Sequence, residues 1–166
     1  MPIDSESTDG IFVHNMGVTE CTPVAGKRPK PKVVELEYVE DIGMGSRLGF
    51  SRKVQALIDL IDQGLLFKTK PAKRLINTRA MKRSLIDKVL GQYWKRNPKF
   101  AQKLIDRINK NHYDHVWELQ LGGADELSNL KLLNGITNWH VGTQQITRQL
   151  RNIDYGTPVI IKLKEK

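Results

Sequence analysis

At 166 residues the chain is long enough for one domain with a hydrophobic core and too short for two large ones. Hydrophobic residues at 39% and charged residues at 27% argue against wholesale disorder, no apolar run is long enough to cross a bilayer, and the single cysteine, Cys21, excludes an internal disulfide or a zinc site of paired cysteines. The net charge of +9 is uneven: residues 1–47 hold five Lys/Arg against eight Asp/Glu, and residues 48–166 hold twenty-two against ten, so the part with folding signals is basic and suits an anionic partner.

The opening stretch MPIDSESTDG lacks the basic end and apolar run of a secretory signal, which predicts synthesis in the cytoplasm, with any export carried by other means. Pro2, Pro23, Pro29 and Pro31 and the lack of periodicity predict a linker or flexible extension over 1–33. KVVELEYVED alternates weakly and predicts a short strand, placing the start of the ordered domain, 34–166, close by.

From Ser51, taken as an N-cap, Val54, Leu57, Ile58, Ile61 and Leu65 recur at helical spacing. A second helix is predicted over about 78–94, and a third opens on Asn97-Pro98, a cap residue followed by proline at the first helical position. This helical part spans about 51–110. Its outer faces are rich in Lys and Arg, as a solvated helix face or a phosphate-contacting surface would be.

YDHVWELQL then alternates Tyr113, His115, Trp117, Leu119 and Leu121 against Asp114, Val116, Glu118 and Gln120, which predicts a strand with two different faces. GGADELS predicts the turn and NLKLL a return strand, with a helix from about Ile136 carrying Trp139, Thr143, Ile146 and Leu150 on one side. Trp117 and Trp139 are expected in the core, and PVIIKLK is expected as a last strand. Strand, turn, strand and helix in so short a span can bring Asp114 beside Asn138. Their oxygen donors suit one Mg²⁺ or Mn²⁺ ion, with other coordination positions left to waters and phosphate oxygens. His115 is then a candidate general base, because a neutral imidazole near pH 7 can take a proton from water. Asn129 stands where it could tie the hairpin together.

The run DHVWELQLGGADELSNLKLLNGITN resembles the motif of HNH, or ββα-metal, endonucleases: an Asp-His pair, a Gly-Gly turn, an Asn-Leu fourteen residues after the His, and an Asn nine residues later. The resemblance covers about 112–152. It implies an α+β fold, with a helical N-terminal part and a C-terminal ββα-metal unit. It implies Asp114 and Asn138 as metal ligands, His115 as the general base, and Asn129 as the residue bracing loop and base. The motif also resembles C-terminal nuclease domains of bacterial polymorphic toxins. That implies a DNA-cutting effector of little sequence preference, with RNA as a second candidate substrate. It further implies a cognate immunity protein and delivery as part of a larger polypeptide, while the lack of a bilayer-length apolar run predicts no membrane partner.

Two departures stand out. There is no pair of CxxC motifs for a structural zinc, and WHVGT follows the final Asn where many members carry a Lys. Phosphate contacts are therefore expected from Lys131, His140, Arg148 or Arg151, or from the helical part. Glu118 is either a group supporting the ligands or a plain strand carboxylate. A phage or mobile-element nuclease selective for sequence or structure, and a nucleic-acid-binding module without activity, remain alternatives.

Overall fold

The computed structural model describes residues 29–165, so most of the expected 1–33 extension lies outside the described residues. The order is β1 (Lys32–Leu36), α1 (Arg47–Asp62), α2 (Thr78–Tyr93), α3 (Pro98–Lys110), β2 (Asn111–His115) and β3 (Leu130–Asn134). Then α4 (Gly135–Trp139) runs through a π-helical stretch, His140–Thr147, into α5 (Arg148–Leu150), and β4 (Val159–Leu163) follows. The fold is α+β, as expected.

The helical caps explain the boundaries. Asn97 accepts from the Phe100 amide at 3.1 Å with Pro98 at the first helical position, and Asn77 accepts from the Ala80 amide at 3.0 Å. The first helix starts earlier than the expected Ser51, because Ser46 is the cap and its hydroxyl accepts from the Gly49 amide at 3.2 Å. That extra turn adds Phe50 to the inward face, which also carries Lys53, Val54 and Leu57.

β1 and β4 pair in parallel, Lys32 opposite Val159 through Leu36 opposite Leu163. Val34, Leu36, Val159 and Ile161 meet Phe50, Val54 and Leu57 of α1 and Val141, Ile146 and Leu150 of the C-terminal helical run in the main core. The other edge of β1 is covered by two glutamines. Gln145 and Gln149 each accept from one β1-side amide and donate to one carbonyl, at Glu37 and Glu35, which closes an edge that would otherwise be open to pairing. A second cluster, built on Val89, Ala101 and Ile108, joins α2 to α3.

β2 and β3 form an antiparallel pair, Asn111 opposite Asn134 through His115 opposite Leu130, and the chain enters α4 directly from β3. The strand expected over 113–121 stops at His115. Beyond it Leu119–Leu121 form a 3₁₀ turn that buries both leucines. Apolar residues two apart in a turn imitated the alternation of a strand.

The double glycine closes this turn for two separate reasons. Gly122 has φ +100°, a left-handed conformation, and Gly123 donates its amide to the Glu118 carbonyl at 3.0 Å. A Cβ on Gly123 would lie 2.7 Å from the Trp117 carbonyl carbon and closer still to its oxygen. Gly123→Ala is therefore expected to destabilise by about 2–3 kcal/mol through forced backbone overlap, and Gly122→Ala by about 1 kcal/mol through its φ alone. Chemical denaturation of the two variants checks the order, and equal losses would contradict it.

Candidate active site

Ending β2 at His115 matters chemically. In a continuing pleat Asp114 and His115 would face opposite ways, but at the strand end both are buried and both line one cavity of about 500 Å³. Glu118, Gln120, Asp125 and Asn138 share its wall. Three of the expected site residues, Asp114, His115 and Asn138, thus meet at one cavity.

Asn129 does not hold the imidazole. Its side-chain oxygen accepts from the Trp117 amide at 2.8 Å, and its nitrogen donates to the carbonyls of Trp117 at 2.8 Å and Ala124 at 2.9 Å. It therefore braces the loop, as expected, while the ring is held by a residue the sequence reading passed over: His115 Nε2 lies 2.8 Å from Asp125 Oδ1. Asp125 also accepts from the backbone amides of Leu75 and Ile76, which anchors the carboxylate to the segment before α2. With Asp125 ionised, Nε2 carries the proton and donates, and Nδ1 is left with the lone pair. The sequence signal for Asp125 is its place in the turn, a carboxylate just past the double glycine, where a loop folding back could reach the strand end.

The second missed residue is Lys53. Its ammonium sits 2.8 and 2.7 Å from the two oxygens of Asp114, 2.7 Å from Glu118 Oε1, and 3.4 Å from the His115 carbonyl. The Lys53 side chain is 2% exposed. Burial works to lower the Lys53 pKa, but the carboxylates of Glu118 and Asp114 outweigh it, and the net shift is upward. Asp114 is pushed upward too, by burial first, against the pull of Lys53 and with the negative charge of Glu118 adding to the rise. Both directions follow from one cation enclosed with two carboxylates. The signal in the sequence is a lysine in register with Phe50, Val54 and Leu57, where a solvated charge does not belong.

Whether a divalent ion suits this site turns on the donors. Two carboxylates and the Asn138 amide are hard oxygen donors on one cavity, the donor type that suits Mg²⁺ or Mn²⁺, while no group of three or more His, Cys, Asp or Glu side chains is placed to hold an ion among the described residues. Both Asp114 oxygens, however, are engaged by Lys53, so an ion at Asp114 must share them or displace the ammonium. Glu118 is accordingly a partner of Lys53 rather than a plain strand carboxylate.

Asn138 is not the cap of its helix. Asn134 fills that role, accepting from the Ile136 and Thr137 amides at 3.0 Å each, and Asn138 faces the cavity one turn in. A π-helical stretch, His140–Thr147, follows. The Gly142 carbonyl accepts from the Gln120 side chain at 3.2 Å and the Thr147 hydroxyl at 2.8 Å, and the first of these ties the helix to the loop after β2. The wider turns also change the inward face. Val141, Gln145, Ile146 and Leu150 are buried, whereas Ile136 and Trp139, expected inside, are exposed. Trp117 packs against the main core as expected.

The expected phosphate contacts fare differently. Lys131, Arg148 and Arg151 are exposed, and His140 takes a hydrogen bond on Nδ1 from Gln145 at 2.9 Å; none of the four lines the cavity. The exposed Arg74, ahead of α2, does line it and is the nearest candidate for a phosphate contact.

Asp125 gives a pH signature. The hydrogen bond from His115, then those from the Ile76 and Leu75 amides, hold its pKa down to about 2. Folding thus lowers it from the ordinary value of about 4. The stability it contributes is complete above that ordinary value and is lost as the pH falls through the folded one. Asp125→Asn is expected to melt below the native protein at pH 6, with the gap closing between about pH 4 and pH 2. A gap independent of pH would refute the assignment.

Compared with protein-family models, curated proteins and solved structures, the chain matches none.

Proposed function

We propose that the protein is a metal-dependent endonuclease of the HNH type, in its His-Asn-Asn form, that hydrolyses DNA phosphodiester bonds with little sequence preference. The observation that carries this reading is the meeting of Asp114, His115 and Asn138 on one cavity, with the imidazole aligned by Asp125 and the loop braced by Asn129. Asp114 and Asn138 would hold the divalent ion, with Glu118 beside them. When bound, that ion supplies charge stabilisation for the phosphoryl transition state and the departing oxygen.

The chain's own residues do the rest. His115 Nδ1 accepts a proton from the attacking water, and the Nε2–H···Asp125 bond stabilises the imidazolium that forms. Arg74 meets a phosphate at the cavity rim, and the basic surface of residues 48–166 attracts the polyanion without reading bases. The wider reading is a toxin effector domain delivered as part of a larger polypeptide. Its acidic immunity partner would cover the basic surface in the producing cell.

Supercoiled plasmid incubated with Mg²⁺ or Mn²⁺ tests the reading. Nicking that is lost in EDTA and in His115→Ala, with a broad ladder of products, supports it; nicking that survives both overturns it. One observation favours a second reading, a nucleic-acid-binding module without hydrolysis: Lys53 engages both Asp114 oxygens. That module would bind DNA and leave the plasmid intact under every metal condition.

A further inference from the structure

Beside the catalytic cavity lies a second one of about 890 Å³, within the size range of small-molecule sites. His112, Gly135 and Trp139 belong to both walls, so the two cavities adjoin. Trp139 directly follows Asn138, is 55% exposed, and is steadied by an edge-to-face contact with His140 at 6.1 Å between centroids. Ile136, also exposed, extends the apolar surface beside it, and Lys110 supplies a cation at the cavity wall.

We propose that this second cavity receives an unpaired nucleobase from the strand being cut, stacked on the Trp139 indole. The substrate class is therefore single-stranded or locally unpaired nucleic acid. This rests on the proposed nucleic-acid function and sharpens it.

Three observations select a base as the occupant. An exposed indole offers a flat π face that stacks on any base, in keeping with low sequence preference. Asp41 also lines this cavity, and its carboxylate opposes a phosphate there while leaving a neutral ring unaffected. Each cavity carries a cation on its wall, Arg74 on the catalytic cavity and Lys110 on the second, which suits phosphates flanking the base. A base stacked within a duplex cannot present its face to the indole, so a duplex must first fray or splay a nucleotide out.

The test uses the full chain carrying His115→Ala, which prevents cleavage during binding. Fluorescein-labelled single strands and the matching duplex are titrated by anisotropy. The single strand is expected to bind more tightly than the duplex. Adding Trp139→Ala is expected to weaken single-strand binding about tenfold with duplex binding unchanged, and Trp139→Phe to restore it. An unchanged melting temperature in each variant shows that the fold is kept. Equal losses on both substrates, or no loss on the single strand, overturn the proposal. If the native protein nicks plasmid but Trp139→Ala changes no affinity, the base subsite falls and the hydrolytic reading stands. If nicking is absent but the single-strand preference depends on Trp139, the subsite stands and the hydrolytic reading falls.

Discussion

On the proposed hydrolytic function, His115→Ala is expected to lower the rate of metal-dependent phosphodiester cleavage by about 10²- to 10⁴-fold, the range for losing a positioned general base. The reason lies in which nitrogen is free. Nε2 is committed to Asp125 at 2.8 Å, so Nδ1 is the only ring position left to accept a proton. Asp125→Asn is the sharper probe. An amide can present its NH₂ to Nε2, which then accepts, and the proton moves to Nδ1, where the base is needed. The variant keeps an imidazole in place in the wrong tautomer and is expected to approach His115→Ala in rate. Because the two residues act as a unit, the double variant should be little worse than either single one. Nicking rates at saturating Mg²⁺, with melting temperatures alongside, check this. A full rate in Asp125→Asn would show that the carboxylate only anchors the loop, and the assignment of Nδ1 would fall.

What the sequence revealed divides along physical lines. Local signals worked where a helix is set by its cap, as Asn97-Pro98 opens α3, and for two strands: Lys32–Leu36 lies within the stretch expected, and Leu130–Asn134 is NLKLL shifted by one residue. They failed where tertiary packing chose between local options. Leu119 and Leu121 alternate as in a strand, yet the Gly122-Gly123 closure turns them into a 3₁₀ turn. Ile136 and Trp139 share a helical face with Ile146 on paper, but the π-helical stretch re-phases the run and leaves both outside. The spacing of Asp114, His115 and Asn138 was readable because all three lie in one strand–turn–strand–helix segment. Lys53 is 61 residues from Asp114 in sequence and Asp125 reaches back from a loop, so neither partnership has a local periodicity to announce it.

Lys53→Met is expected to destabilise the protein by about 3–5 kcal/mol, the cost of leaving buried charge without its partner. That corresponds to a fall of roughly 10 °C or more in melting temperature for a domain of this size. The argument is one of charge. A single ammonium stands between Asp114 and Glu118, whose side chains are 7% and 13% exposed, and without it two carboxylates face each other out of water. Methionine keeps most of the packing of the stem, so the loss reports the charge. Two further measurements separate this from a mere packing defect. The deficit should narrow as the pH is lowered, because a proton taken up by Asp114, whose pKa is already pushed upward by burial, relieves the repulsion. Mn²⁺ should raise the melting temperature of Lys53→Met more than that of the native protein, since the ion no longer competes with an ammonium; a ligand at a hundred times its dissociation constant adds about 2.7 kcal/mol. Adding Asp114→Asn should abolish that extra rise. If Mn²⁺ stabilises neither protein, the oxygen cluster serves Lys53 alone, and the native protein would be the binding module without hydrolysis.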